Sequence, residues 1–118
     1  MCGVCGAFFT RHQPFELSAV VQDMAATLEH RGPDRLAVWV AGEGTVGFGH
    51  TRLAVVDLSE AGHQPMTSAD GRWTITYNGE LYNPDDLRRR LGGFRWRGHS
   101  DTEVLIEYVA RHGVVTAL

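Results

Sequence analysis

The sequence predicts an α+β fold, in which helices and antiparallel strands mix along a single domain. Apolar residues recur at spacings of three and four across residues 16–29 and again after residue 100, as in amphipathic helices. Residues 36–41 and 45–50 are β-prone and are joined by a glycine-containing connection, as in an antiparallel hairpin. Residues 72–78 alternate between apolar and polar side chains, which is typical of a half-buried strand.

Length and composition fit one globular domain. The chain has 118 residues, of which 43% are hydrophobic and 21% charged, so it can bury a core and is not disordered. All 11 basic residues are arginines, which excludes a P-loop lysine or a Schiff-base lysine. The net charge of −3 argues against a nucleic-acid partner. With no run of about 20 apolar residues and no signal-peptide pattern, we expect a cytoplasmic protein without membrane contact.

The first half of the chain predicts a strand, a helix and three further strands. Residues 4–9 are apolar and β-prone, and predict a strand that carries the N-terminus into the core. The helix over residues 16–29 ends at Gly32 and Pro33, because proline cannot continue a helix. After the hairpin, residues 52–58 predict another strand, and residues 59–71 predict a loop rich in turn-forming residues.

Helix-start signals organise the second half. Asn83 before Pro84 predicts an N-cap and a first helical residue, and the helix should end at Gly92 and Gly93. Its arginines, residues 88–90, are interpreted as a solvated helix face rather than an anion site.

A short strand and a last helix follow. Residues 94–97 predict the strand. Ser100 with Glu103 matches a capping box at the start of the last helix, which Gly113 ends.

Cys2 is the first residue with potential chemistry. Removal of Met1 would leave a thiol and a free α-amine on one residue, so that nucleophile and base are tethered, as in N-terminal nucleophile enzymes. An inert N-terminal cysteine is the alternative. Cys2 and Cys5 also have the spacing of a redox or zinc pair, although a structural zinc site needs four ligands and there is no second pair. Cys5 is interpreted as a buried strand residue, and both thiols as reduced.

Six separated motifs favour the interpretation of Cys2 as a nucleophile. They are MCGVCG (1–6), HRGPD (30–34), GHTRL (49–53), GHQPM (62–66), YNGE (77–80) and SDTE (100–103). In this order and over essentially the whole chain, they resemble the class II glutamine amidotransferase domain of asparagine synthetase. The stretch over residues 52–59, followed by GHQPM, looks like the asparagine synthetase branch rather than the sugar-aminating or purine-pathway relatives.

The resemblance implies a role for each site residue. Cys2 would attack the side-chain amide of L-glutamine, and Asn78 and Gly79 would donate hydrogen bonds to the oxyanion. The substrate-binding residues implied are Arg52, Leu53, Val55, Glu80 and Asp101. Arg52 would bind the α-carboxylate, while Asp101 and Glu80 would bind the α-ammonium group. His50, His63 and Arg31 would support the pocket.

Each of these residues also has a simpler interpretation. Asn78 and Gly79 are typical of a turn, Arg52 of a surface strand, and Asp101 of a helix N-cap. The two interpretations of Asp101 can coexist.

The resemblance also implies what lies beyond the motifs. The expected fold is an αββα sandwich of antiparallel sheets, of which this chain would hold an N-terminal part of the glutaminase domain. We expect no cofactor in this chain, with ATP and magnesium belonging to a missing C-terminal synthetase domain that amidates aspartate. Two alternatives stay open: a non-catalytic fragment and a related amidotransferase with another ammonia acceptor. The oligomeric state is also open, with a homodimer as one candidate.

Overall fold

The computed structural model describes residues 1–54 and 59–117, which form two compact units. Unit 1 comprises residues 1–54 together with 76–78, and unit 2 comprises the other described residues. Each unit combines helices with antiparallel strands, so the predicted α+β class is confirmed. None of the helices in the described part of the chain has the length and apolar character needed to cross a bilayer.

Unit 1 is a three-stranded antiparallel sheet with one helix. The elements are β1 (Gly3–Phe8), α1 (Leu17–Ala26), a 3-10 turn (Glu29–Arg31), β2 (Arg35–Val40) and β3 (Val46–Arg52). The strand order is β1-β3-β2, so the last strand of the unit lies in the middle.

Glycines allow α1 to pack directly on the backbone of β3. A Cβ added at Gly47 would lie 2.8 Å from Val21 Cγ2, and one added at Gly49 would lie 2.9 Å from Ala25 Cβ. Val21 and Ala25 are buried on α1, as the helical spacing predicts, whereas Val20 of the same predicted face is exposed. α1 therefore buries a narrower stripe than its sequence suggests, and it ends at Ala26, earlier than predicted.

Unit 2 has a two-stranded sheet and three helices. Its core consists of Leu87, Leu91, Val104 and Tyr108. The elements are a 3-10 turn (Glu60–Gly62), β4 (Met66–Thr67), β5 (Thr74–Ile75), α2 (Pro84–Arg90), α3 (Asp101–His112) and α4 (Val114–Ala117).

The starts of α2 and α3 were predicted correctly, although the Asn83 side chain makes no capping hydrogen bond. The predicted capping box is wrong in its second half, because the Glu103 carboxylate accepts backbone N–H groups before Ser100 instead. Pro84 is the first residue of α2, and the Ser100 hydroxyl accepts a hydrogen bond from the backbone N–H of Thr102. Gly113 has a φ of 82°, which favours glycine, and it ends α3. In α2 the solvated-face interpretation is wrong for Arg88, because its guanidinium lies 4.9 Å from the ring centroid of Trp96.

The strand predicted over residues 94–97 is not a strand in the structure. The Glu103 carboxylate is fully buried and accepts the backbone N–H of Arg97 at 2.8 Å and that of Gly98 at 3.1 Å. It also accepts the Arg97 Nε–H at 3.0 Å. These backbone donors are satisfied by a side chain rather than by a neighbouring strand, while Phe94 and Trp96 pack against the core.

Three further element predictions need correction. The predicted loop over residues 59–71 contains a 3-10 turn and β4, which pairs with β5. In the strand predicted over 72–78, only Thr74–Ile75 are paired, and residues 76–78 belong to unit 1. In the strand predicted over 52–58, Arg52 is the last residue of β3 and residues 53–54 are not in a strand; residues 55–58 lie outside the described part.

Candidate functional site

Cys2 is held beside the end of β3 because β1 starts at the next residue. Gly3 is paired with Thr51, and its backbone N–H donates to the Thr51 hydroxyl at 3.1 Å. A Cβ at Gly3 would lie 2.4 Å from that hydroxyl oxygen and 2.7 Å from Leu28 Cβ. Only glycine allows this approach, so the residue after Cys2 anchors the nucleophile candidate to the sheet.

The Cys2 thiol faces both peptide groups of Leu53. The backbone N–H of Leu53 donates to Cys2 Sγ at 3.3 Å, and the Cys2 thiol donates to the Leu53 carbonyl oxygen at 3.7 Å. Both cysteines are half-buried free thiols. An N–H group directed at sulfur stabilises a thiolate, since hydrogen bonds to an ionised partner are stronger than neutral ones.

Cys5 has a different environment, on the α1 side of the sheet. A Cβ added at Gly49 would lie 2.7 Å from its sulfur, and its thiol contacts the Val21 carbonyl oxygen at 3.9 Å. Burial raises the pKa of the Cys5 thiol, which disfavours its thiolate. Within the described residues, no group of three or more His, Cys, Asp or Glu side chains has a metal-binding arrangement.

Arg52 and His50 lie on the face of β3 opposite α1. Arg52 is only 7% exposed, so the interpretation as a surface strand arginine is wrong. His50 is 2% exposed, and its Nδ1 lies 3.0 Å from the Thr76 hydroxyl. Burial, with a contribution from the Arg52 charge, lowers the pKa of His50 to about 4. His50 is therefore neutral near pH 7.

Unit 2 carries the predicted ammonium-binding residues. Asp101 is the first residue of α3, and its Oδ2 accepts the backbone N–H of Leu81 at 3.0 Å. Ser100, not Asp101, is the N-cap of that helix. Glu80 precedes Leu81 and is exposed, as is Gly79. The Asp101 carboxylate thus fixes the backbone next to Glu80.

The predicted site residues are divided between the two units. Unit 1 contains Cys2, Arg52, Leu53 and Asn78, and it brings Cys2 and Leu53 into contact. Unit 2 contains Gly79, Glu80 and Asp101. Val55 lies outside the described residues.

Among the supporting residues, Arg31 lies in the 3-10 turn after α1, and His63 follows the 3-10 turn of unit 2. Asp34 and Thr76 were missed by sequence reasoning. Asp34 is part of the HRGPD motif, which was a usable signal, whereas nothing in the sequence singles out Thr76.

Comparison with known proteins gives the class. A family model described as "Glutamine amidotransferase domain" matches residues 1–118, and the chain belongs to this family.

The curated proteins similar to this chain include asparagine synthetases and an amidase. Glutamine-hydrolyzing asparagine synthetase 3 of Bacillus subtilis (strain 168) is 49% identical over 113 residues, 90% of this chain and 17% of that protein. Glutamine-hydrolyzing asparagine synthetase 1 of Arabidopsis thaliana is 33% identical over 97% of this chain and 19% of that protein. Amidase chry2 of Gibberella zeae is 34% identical over 97% of this chain and 18% of that protein. The chain therefore spans less than a fifth of the length of these curated relatives.

Proposed function

We propose that this chain is a glutaminase part of an asparagine synthetase-like enzyme, and that Cys2 is its nucleophile. The observation that carries the proposal is the contact of Cys2 Sγ with the peptide groups of Leu53, directly after the buried Arg52. Membership of the glutamine amidotransferase domain family supports glutamine as the substrate.

The chemistry follows from an N-terminal cysteine. Once Met1 is removed, the free α-amine of Cys2 takes the thiol proton, and the thiolate attacks the side-chain carbonyl carbon of glutamine. The C–N bond then breaks, the proton passes to the leaving nitrogen, and ammonia departs from a glutamyl thioester. Water hydrolyses the thioester, which gives glutamate and restores the thiol.

We assign the remaining site residues to the charged groups of the substrate and of the reaction intermediates. Each tetrahedral intermediate carries an oxyanion, and we assign its hydrogen-bond donors to the Asn78 side-chain amide and the Gly79 backbone N–H. Arg52 binds the α-carboxylate of glutamine through its planar guanidinium. Asp101 and Glu80 bind the α-ammonium group. Leu53 and Val55 complete the substrate contacts through the same stretch of chain.

We further propose that the chain is the N-terminal part of a glutaminase domain with the αββα sandwich of N-terminal nucleophile hydrolases. In the longer enzyme, a synthetase domain that uses ATP and magnesium would transfer the ammonia to aspartate. The 49% identity to an asparagine synthetase favours aspartate as the acceptor. The 34% identity to a protein called an amidase supports a different acceptor as the second candidate.

Glutamine turnover by the purified chain tests the proposal. We expect glutamate and ammonia in equal amounts, and no turnover by the Cys2→Ala variant, because no other thiol replaces the nucleophile. Cys5→Ala is the matched control and should keep its activity. Turnover by Cys2→Ala at the parent rate would refute Cys2 as the nucleophile.

Covalent labelling tests the non-catalytic alternative. The intact mass of the untreated chain reports whether Met1 is absent. A glutamine-like electrophile should then add once, on Cys2, and excess glutamine should prevent the addition. A chain that has lost Met1 and yet takes up no label would mean that this stretch does not form a glutamine site by itself.

A further inference from the structure

Asp34 is bonded to the same peptide units that face Cys2. The Asp34 backbone N–H donates to the Arg52 carbonyl oxygen at 3.0 Å. That carbonyl belongs to the peptide unit whose N–H, on Leu53, donates to Cys2 Sγ at 3.3 Å. The two hydrogen bonds are therefore in series through one peptide plane, and bonds in series polarise one another.

The following peptide unit is held at both ends in the same way. The Asp34 carboxylate accepts the Ala54 backbone N–H through Oδ2 at 2.8 Å. The carbonyl of that unit, on Leu53, accepts the Cys2 thiol at 3.7 Å. Asp34 thus forms hydrogen bonds to both peptide units around Leu53, through its carboxylate and its backbone N–H. In each unit the bonded group is the one opposite to the group that contacts Cys2.

Gly32 lets the chain approach β3 closely enough for Asp34 to form these hydrogen bonds. A Cβ at Gly32 would lie 2.2 Å from the Thr51 carbonyl oxygen and 2.6 Å from the Arg52 carbonyl carbon. A residue with a side chain at position 32 would push the chain away from β3, and Asp34 two residues later could not reach the Arg52 carbonyl.

We propose that Asp34 is a positioning residue for the Cys2 nucleophile: it fixes the two peptide groups of Leu53 so that the Leu53 N–H stabilises the Cys2 thiolate. The inference rests on the proposed function of Cys2. Within the HRGPD motif, Asp34 and Gly32 thus help to position the nucleophile, in addition to the supporting role implied for Arg31. Asp34 acts through Leu53 and need not touch the substrate.

Alkylation of Cys2 by iodoacetamide separates this inference from the proposed function, because this small neutral electrophile needs no glutamine site. The purified chain, Asp34→Ala and Asp34→Asn are compared at pH 7 and at pH 9.5. Asp23→Ala is the matched control, since Asp23 is an exposed carboxylate on α1 in the same unit. Fragmentation of the tryptic peptide that ends at Arg11 distinguishes Cys2 from Cys5.

We expect the rate at Cys2 to fall about three- to tenfold in Asp34→Ala at pH 7, since a loosely held Leu53 N–H no longer stabilises negative charge on the attacking sulfur. At pH 9.5 the difference between the two proteins should become small, because a higher pH favours the thiolate in both. Asp34→Asn keeps an acceptor for the Ala54 N–H and should stay within about twofold of the parent. Asp23→Ala should match the parent at both pH values.

Three results would overturn the inference. They are an unchanged Cys2 rate in Asp34→Ala at pH 7, an equal slowing at both pH values, and a loss in Asp34→Asn as large as that in Asp34→Ala. The rate at Cys5 reports the fold, because Cys5 lies under α1. If Asp34→Ala exposes Cys5, Asp34→Glu takes its place: its carboxylate is displaced by one methylene, and a parent-like Cys2 rate would contradict the inference. Glutamine turnover plays no part in any of these readouts.

Discussion

At the residue scale, the two buried side chains near the end of β3, Arg52 and His50, differ in charge. Arg52 carries a positive charge at a buried position, whereas His50, two residues earlier on the same face, stays neutral and contacts Thr76. A further positive charge beside Arg52 would repel it and would be poorly solvated. The neutral His50 therefore adds no positive charge to a face on which Arg52 is paired in register with Arg35.

Titration of His50 should make stability depend on pH. Its pKa is about 4 in the folded chain against an ordinary 6.5, so the unfolded chain binds the proton more readily between these values. The contribution of His50 to the free energy of unfolding is fully present above about pH 6.5 and is lost as the pH falls towards 4. At pH 5 the loss from this group is about 2 kcal/mol.

Urea unfolding at pH 7 and pH 5 measures this effect. In His50→Gln, which keeps a hydrogen-bonding side chain, the drop in unfolding free energy between the two pH values should be smaller by about 2 kcal/mol. His12→Gln is the control, because His12 is exposed, and its pH dependence should match the parent. Equal pH dependence in all three proteins would contradict the assignment.

The sequence motifs contain the side chains proposed for the site, whereas they do not indicate the backbone groups that contact Cys2. Cys2 and Arg52 stand in motifs whose residue types match a nucleophile and a carboxylate-binding group. The two peptide groups of Leu53 have no side-chain signature, because every residue carries the same N–H and C=O. Asp34 was visible in its motif, but its contact with Ala54 depends on how closely Gly32 approaches β3.

At the scale of elements, unit 1 depends on the fit between α1 and the glycine-bearing face of β3. At Gly49 an added Cβ would lie 2.7 Å from Cys5 Sγ and 2.9 Å from Ala25 Cβ. The helix lies against backbone here, so a methyl group cannot be accommodated by a rotamer change of the helix alone.

The Gly49→Ala variant tests this fit. Overpacking should lower the free energy of unfolding by about 1 to 3 kcal/mol, which urea titration would detect. Gly42→Ala is the matched control in the same unit, since its added Cβ has no neighbour within 4 Å. It should leave stability unchanged or raise it by up to about 1 kcal/mol. Similar losses in both variants would indicate a general intolerance of alanine rather than a close contact.

Periodicity predicted most elements and failed where side chains compete with strand pairing. The helices at residues 17, 84 and 101 begin close to their predicted starts, because caps and proline are local signals. Residues 94–97 are β-prone, yet the buried Glu103 carboxylate takes the backbone N–H groups of Arg97 and Gly98. That carboxylate comes from a later helix, so no local pattern contains the information.

At the scale of the whole molecule, unit 1 leaves apolar side chains on the sheet face opposite α1. Phe8 is 73% exposed, Val4 is also exposed, and the rings of Trp39 and Phe48 stack on the same face with centroids 5.6 Å apart. Exposed apolar patches on isolated domains promote association. The proposed αββα sandwich would cover such a face with a second sheet.

We expect the purified chain to self-associate through this face at high concentration. Phe8→Ser should weaken the association roughly tenfold, because the burial of a phenylalanine ring contributes over 1 kcal/mol. Sedimentation equilibrium at several concentrations measures it. Val115→Ser is the control, since Val115 is 94% exposed on α4 of unit 2. An apparent mass that stays monomeric at all concentrations would contradict the expectation.

Family membership was predictable from the whole chain because its six motifs are spread from residue 1 to residue 103. The division into units was not. Residues 72–78 alternate without a break, yet residues 74–75 pair within unit 2 and residues 76–78 belong to unit 1. A period of two reports which face a side chain takes and carries no information about which sheet the strand joins.

The backbone contact between α1 and β3 also determines how unit 1 can open. Where side chains interdigitate, a helix can loosen by degrees as single rotamers change. Gly47 and Gly49 have no side chain that could change rotamer, so we expect α1 either to pack against β3 or to separate from it completely. Amide protons of β3 should then exchange with solvent in one concerted opening rather than residue by residue, and Cys2, paired through Gly3 to this strand, would lose its position in the same event.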